Sequence, residues 1–345
     1  MTNHTDICIS SKADIRIKRV TAPLDTETVW EIESFLLKIF EYGDYSFRSA
    51  LSGKYHQTLN CTFFLANYND FLIGAAGCLY AHNNPAVSII GPVCVDAKFR
   101  RNGIGTKLIS YAVEFLKTRG CKAVYLAVAA DSPAVSFYKK LGFQKYKGVV
   151  MRRLFSSEEI FGDCFNKSDD TNIRRVVWGD FPAVQALASF PAGICTFDFR
   201  RSIFSSRYVP PSTFLSFFPE MMKAFARYGG FANVLVSGYK ETVVGIAHIS
   251  KLPGKAQQHI AELDFFAHDN FIKHAQTLVD KTIEESRSLS IDRINCYCLA
   301  CDRLKRSIFE SLGARQIAVL PANVRINENL VDVLIYEMRG HNAAY

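Results

Sequence analysis

Between residues 93 and 108 the chain reads Val-Cys-Val-Asp-Ala-Lys-Phe-Arg-Arg-Asn-Gly-Ile-Gly-Thr-Lys-Leu: an apolar stretch, a basic loop with glycines two apart, then a helical pattern. Leu108, Ala112, Phe115 and Leu116 carry one apolar face on to about Thr118. A strand that feeds a glycine loop opening a helix is a ready anion site. The first N–H groups of a helix lack intrahelical acceptors and lie at the positive end of its dipole. Gly103 and Gly105 let a phosphate approach the backbone where side chains would obstruct it. Two common phosphate loops are excluded by spacing. No Gly-x-x-x-x-Gly-Lys-Ser/Thr exists here. A dinucleotide fingerprint wants a third small residue three beyond Gly105, where Leu108 stands, and the acidic residue expected further on is missing.

The elements around the loop alternate between strand and helix, which predicts an α/β chain with mixed sheets. Ile15–Val20 suits a strand, Thr26–Phe40 an amphipathic helix and Ser46–Leu51 a short one. Thr62–Tyr68 and Phe71–Tyr80 form a hairpin about Asn69-Asp70. Val87–Val95 is a strand broken by Gly91-Pro92, since a proline cannot donate to a ladder and marks a bulge or an edge. After the loop and its helix come a strand at Ala123–Ala129, a helix at Ser132–Leu141 ended by Gly142, and strands over Phe143–Arg153.

At 345 residues two domains are expected. Residues 154–171, mixed in Ser, Glu, Gly, Asn, Lys and Asp, predict a linker, and beyond them the element order recurs. A slide of about 170 residues places Leu278 on Leu108, and Leu312-Gly313 falls one residue off Leu141-Gly142. The expected division is therefore 1–155, a linker at 156–171, and 172–345.

Charge follows the same division. Residues 1–155 carry 20 Lys and Arg against 12 Asp and Glu, while residues 156–345 carry 21 of each, so the first domain holds all of the net +8. No aromatic–basic recognition motif accompanies that excess, so an anionic cofactor is favoured over nucleic acid. No apolar run reaches membrane-spanning length, and Met1–Asp14 lacks the apolar core of a signal peptide, so a cytoplasmic protein is expected. Ten scattered cysteines suit reduced thiols. Cys296-x-Cys298-x-x-Cys301 has neither a second cluster nor a His at ligand spacing, and no metal site is expected.

Arg100-x-x-Gly103-x-Gly105 resembles the Arg/Gln-x-x-Gly-x-Gly/Ala signature of the GCN5-related N-acetyltransferase (GNAT) superfamily. Asp131-Ser-Pro-Ala-Val-Ser-Phe-Tyr-Lys-Lys-Leu-Gly-Phe143 is similar to that family's second signature, with Asp131 where asparagine is usual. The resemblance spans roughly residues 15–153. It implies two tandem GNAT folds, acetyl-CoA as co-substrate, and direct acetyl transfer to the amine of a small molecule, with protein lysines or N-termini as the alternative. It also implies site roles. Backbone amides of Arg101, Asn102, Gly103, Ile104, Gly105 and Thr106, with Arg100, would cradle the diphosphate. Val93, Cys94 and Val95 would pair with the pantetheine arm, with Asp131 nearby. The Val95 amide would stabilise the oxyanion, and Tyr138 would protonate the departing sulfur. A non-catalytic acyl-CoA-binding module is the third reading.

Asp96, Glu41, Asp44, His56, His82 and Tyr80 are the candidates for the general base, none of them in a motif. Cys94 has no indicated His partner, which disfavours a covalent route. In the second half the loop becomes Asn270-x-x-Lys273-x-Ala275 and Phe309 stands at Tyr138, so phosphate space and proton donor are lost together. The second domain is expected to be a degenerate copy with a structural and pocket-forming role. It can stand in for a dimer partner, so a monomer is expected.

Overall fold

The structure, a computed structural model, describes residues 5–7, 15–40, 47–129, 131–189, 213–238, 241–326 and 329–340. The chain divides into two compact units, Met1–Phe161 with Val177–Ala183, and Gly162–Val176 with Val184–Tyr345.

In the first unit the strands are β1 (Thr5–Ile7), β2 (Ile15–Thr21), β3 (Leu59–Tyr68), β4 (Phe71–Ala81), β5 (Val87–Val95), β6 (Ala123–Ala127), β7 (Gln144–Lys147) and β8 (Val150–Leu154). The helices are α1 (Thr26–Phe40), α2 (Arg48–Leu51), α3 (Ile104–Thr118), α4 (Ala134–Lys140) and α5 (Glu158–Gly162). Among the described residues the sheet runs β1-β2-β3-β4-β5-β6-β8-β7, antiparallel except for the parallel pair β5–β6. That pair spans the crossover through α3, the helix the glycine loop opens. Asn69 and Asp70, both at positive φ, turn β3 into β4 as the hairpin reading expects. Ile104, Leu108, Ala112 and Leu116 of α3 are buried with Val135 and Tyr138 of α4 in one core, so both helices cover the same face.

The second unit has β9 (Thr171–Arg175), β10 (Gly230–Ser237), β11 (Thr242–Lys251), β12 (Ile260–Ala267), β13 (Arg293–Leu299), β14 (Arg315–Ile326) and β15 (Asn329–Arg339), with α6 (Phe181–Ala188) at the unit boundary and α7 (Thr213–Tyr228), α8 (Ala275–Glu285) and α9 (Arg303–Ser311). Its order, β9-β10-β11-β12-β13-β15-β14, repeats that of β2 to β7 strand for strand, including the parallel pair β12–β13. The repeat expected from the sequence is thus present in the topology, as two mixed α/β sheets.

The expected linker is structured instead. Residues 158–165 form α5 and a 3-10 turn, and Phe161 and Phe165 are buried. Buried Arg152 of β8 explains the first part: it pairs with Glu158 and lies over the rings of Tyr146, 4.1 Å, and Phe161, 5.6 Å. Polar composition suggested a tether, and most of the segment is exposed, but two buried aromatic side chains anchor it. Val177–Ala183 also belongs to the first unit: the Trp178 ring stacks on Tyr55 at 3.8 Å, and Gly179 N–H donates to Thr58 Oγ1 at 3.2 Å. Among the described residues no helix is long and apolar enough to cross a membrane.

Candidate active site

The site starts from a defect in the sheet. β5 pairs with β6 only from Val87↔Ala123 to Ile89↔Tyr125. Beyond it, β6 continues on β8 alone through Leu126↔Met151 and Ala127↔Val150. The cause lies at Gly91-Pro92. The β4–β5 register shifts there, between Ala76↔Val93 and Cys78↔Ile90. Gly77 faces the bulge so closely that a Cβ would stand 2.8 Å from Gly91 O and from the Phe63 ring.

Past the bulge one edge of β5 has no strand partner among the described residues, and the hydrogen-bond parity decides which residues face it. Asp96 N–H donates to Ile73 O at 2.9 Å, so Val95↔Gly74 and Val93↔Ala76 are non-bonded pairs whose N–H and C=O turn away from β4. Val93 and Val95 therefore both point their amides into the cleft. Cys94 does not: its peptide groups belong to the β4 ladder, a correction to the expectation that three consecutive residues would pair with an added strand.

The loop completes the anion site. Asp96 caps a 3-10 turn at Ala97–Phe99 by accepting Lys98 N–H at 3.0 Å. Arg101 and Gly103 both adopt positive φ, 66° and 75°, and Gly103 begins α3 without a side-chain cap. The first helical N–H with an acceptor is that of Lys107, on Gly103 O at 3.1 Å, so those of Ile104, Gly105 and Thr106 have none within the helix. A Cβ on Gly103 would meet no atom within 4 Å, which leaves the approach to these amides clear. A Cβ on Gly105 would instead stand 3.4 Å from the Phe137 ring. Asn102 Nδ2 donates to Phe99 O and Arg100 O, and Arg100 Nε to Val95 O at 3.0 Å, tying loop to strand. Lys98, Arg100, Arg101 and Lys107 are exposed around it.

Tyr138 is buried against Phe137 and Phe143. Burial pushes its hydroxyl up to about 12, with the Cys94 thiol a lesser contributor, so the phenol keeps its proton at neutral pH. Burial likewise lifts Cys94 to about 12, which removes it as a nucleophile. Asp131 is exposed, and the hydroxyl that accepts the Ala134 N–H at 3.2 Å belongs to Ser132.

Among the described residues, the structure separates the candidate bases from the cleft or commits them elsewhere. Asp96 is held below the ordinary carboxylate range by the Lys38 ammonium, 2.8 Å away, and by Lys98 N–H. Tyr80 is a core residue packed on Phe115. His82 lies six residues along from Ala76, about 20 Å at strand rise, and His56 is bonded to its own turn at Gly53 O, 2.5 Å. Glu41 and Asp44 lie outside the described residues.

The second unit shows the counterpart. The αL glycines Gly142 and Gly313 both follow the helix of the second signature, and counting back from them sets Phe309 on Tyr138 and Lys305 on Ala134. Helix starts set His274, not Lys273, on Gly103, one residue from the sequence match; no glycine stands in this loop either way. A 3-10 turn at Asp269–His274 replaces the glycine loop, with Lys273 paired to Asp169 and Asn270 Nδ2 donating to Phe165 O at 2.8 Å.

Residues 27–143 match the sequence profile of the acetyltransferase (GNAT) family. The chain is 39% identical over 88 residues to an N-acetyltransferase of Methanocaldococcus jannaschii, covering 24% of this chain and 39% of that protein. It is 34% identical over 87 residues to N-alpha-acetyltransferase 30 of Schizosaccharomyces pombe, covering 24% of this chain and 58% of that one. The chain thus spans about two fifths to three fifths of the length of these relatives. A solved acetyltransferase, yncA of Salmonella typhimurium with acetyl-CoA, aligns at 17% identity and a TM-score of 0.41 over 51% of this chain and 98% of that one. The segment 27–143, which contains the open strand edge, the glycine loop and Tyr138, makes the first unit a member of the acetyltransferase (GNAT) family.

Proposed function

We propose that the first unit transfers an acetyl group from acetyl-CoA to a primary amine. The observation that carries this reading is the edge at Val93 and Val95, without a strand partner among the described residues, which opens beside the start of α3, where the N–H groups of Ile104, Gly105 and Thr106 have no acceptor within the helix. A CoA offers a matching pair of groups: a diphosphate for the amides of Ile104–Thr106, and an amide-bearing arm for the strand edge. Arg100, Arg101 and Lys107 supply the countercharge.

Val95 N–H, by the family pattern, polarises the thioester carbonyl; Val93 N–H points into the same cleft and is a second donor for the arm or the oxygen. As the amine nitrogen bonds to the carbonyl carbon, the carbon–sulfur bond breaks and Tyr138 gives its phenolic proton to the leaving sulfur. Asp96 stays ionised in its pair with Lys38, and the surplus amine proton passes to solvent water, from which Tyr138 is reprotonated.

A small-molecule amine is the first acceptor class. A polypeptide α-amine is the second, favoured by the name of the Schizosaccharomyces pombe relative. One experiment separates them: the full chain with acetyl-CoA is offered a panel of polyamines, amino sugars and amino acids, and in parallel peptides with varied first residues. Thiol release and the acetylated product are both measured. Turnover confined to peptides moves the assignment to N-terminal acetylation. Acetyl-CoA binding with no thiol release from either panel defeats the enzyme reading.

A further inference from the structure

The splay that opens the first unit is also present in the second. β12 pairs with β13 only from Ile260↔Arg293 to Leu263↔Cys296, leaving Asp264–Ala267 without a strand partner on that side among the described residues. The parity is the same, because His268 N–H donates to Val244 O at 2.8 Å. Phe265↔Ala247 is then a non-bonded pair, and Phe265 N–H points into the cleft as Val93 N–H does in the first unit. Here the amide is already taken: Asp264 Oδ1 accepts it at 2.8 Å. The same oxygen is ion-paired with Lys305 Nζ, from a side chain with no exposed surface. Lys305 stands where the first unit has Ala134, and its ammonium lies 5.0 Å over the Phe265 ring. Phe309, at the place of Tyr138, packs edge-on against Phe265 at 5.7 Å. β11–β12 shows no register shift, so the bulge of the first unit is absent.

We propose that the second unit's cleft is occupied by its own side chains: the Asp264 carboxylate sits on the amide equivalent to that of Val93, one of the two edge amides an acyl donor would address, Lys305 neutralises it, and the chain binds one acetyl-CoA. This rests on the acetyl-CoA reading of the first unit and extends it to a stoichiometry and a mechanism of exclusion. Lost glycines would only weaken a site, whereas an internal ligand closes it.

Two measurements on the full chain test the proposal. Calorimetric titration with acetyl-CoA should give one site per chain, and none in Gly103→Glu. Hydrogen exchange should show Phe265 N–H protected without ligand and unchanged by acetyl-CoA, while residues 93–106 gain protection. In Asp264→Ala/Lys305→Met the Phe265 amide should exchange about tenfold faster or more, because its acceptor is gone; in Asp264→Asn/Lys305→Met, which keeps an acceptor oxygen, it should stay near wild type. Two sites per chain, one site surviving in Gly103→Glu, or ligand protection at Phe265 would overturn the proposal. Free exchange of Phe265 in the wild type would do the same, even if both double variants fail to fold. No binding by the wild type defeats the acetyl-CoA reading instead, and the exchange contrast at Phe265 then decides the internal ligand by itself.

Discussion

Replacing Lys305 with methionine keeps a chain of similar length but removes the ammonium paired with the Asp264 carboxylate, which is 7% exposed. Removing one member of a buried pair costs about 3–5 kcal/mol, because the remaining charge stays desolvated without its countercharge. That is a large part of a typical domain stability of about 5–15 kcal/mol. At about 2–4 °C per kcal/mol for a unit of this size, the second unit should melt about 6–20 °C lower. Asp264→Asn/Lys305→Met removes both charges, yet the amide oxygen still accepts Phe265 N–H, so this variant should recover to within about 1–2 kcal/mol of wild type. The assay is urea unfolding followed by far-ultraviolet circular dichroism. Tryptophan fluorescence provides an internal control, since Trp30 and Trp178, the two tryptophans of the chain, both belong to the first unit. Its transition should not move in either variant. A single variant that loses less than about 1 kcal/mol, or a double variant as unstable as the single, refutes the account of a buried, mutually compensating pair.

The remaining predictions concern the first unit. Tyr138→Phe should lower kcat about 10²–10⁴-fold with acetyl-CoA affinity nearly unchanged, and equally at every pH from 6 to about 10, because the hydroxyl is held to about 12 by burial and stays protonated throughout. A pH-dependent loss would assign the titration elsewhere. Cys61, Cys94 and Cys121, each pushed to about 12 by burial, should resist thiol reagents at pH 8 while exposed Cys301 reacts. The same burial makes stability fall as pH rises from 9.0 towards about 12, where the unfolded thiols ionise and the folded ones keep their protons; a flat titration of stability across that window would contradict it. Gly103→Ala should cost about 1–2 kcal/mol because φ is 75° there, whereas Gly105→Ala, at ordinary contact with Phe137, should cost less in urea melts. Acetyl-CoA at 100 times its Kd should stabilise the first unit by about 2.7 kcal/mol, read by tryptophan fluorescence.

What the sequence disclosed was what depends on local pattern. The glycine loop, the αL glycines that close two helices, the hairpin at Asn69-Asp70 and the bulge at Gly91-Pro92 each need a particular residue type, and each is found. What it hid depends on long-range partners. Nothing in the polar stretch 156–171 announces that Phe161 will bury beside Arg152, or that Trp178 will return to Tyr55. The hairpin β14–β15 is obscured by Pro321 and by Ala322 at positive φ, and its register shifts between Leu320 and Val324 break the alternation. Residue type alone could not pick a base for a related reason: type does not say which end of a strand a side chain occupies, and His82 lies at the far end of β4. Parity was equally invisible, since only the bond from Asp96 N–H to Ile73 O separates Cys94 from its neighbours.

The two clefts explain each other. Splaying a parallel pair leaves edge amides without strand partners and a gap between helices, and a folded interior tolerates neither an unsatisfied donor nor a void. The first unit keeps Val93, Ala134 and Tyr138 around its gap, which is the arrangement a ligand with both amide and apolar groups can complete. The second fills the same gap itself. Larger apolar side chains alone would not suffice, because Phe265 and Phe309 offer no acceptor for the Phe265 N–H. A carboxylate offers one, and Asp264 is adjacent. Once that carboxylate is buried it requires a countercharge, and the helix position that is Ala134 in the first unit is the place from which Lys305 supplies it. The ionic character of the filling therefore follows from the strand edge it covers: a cleft built to receive a ligand by its amides can be closed from within only by a group that accepts them.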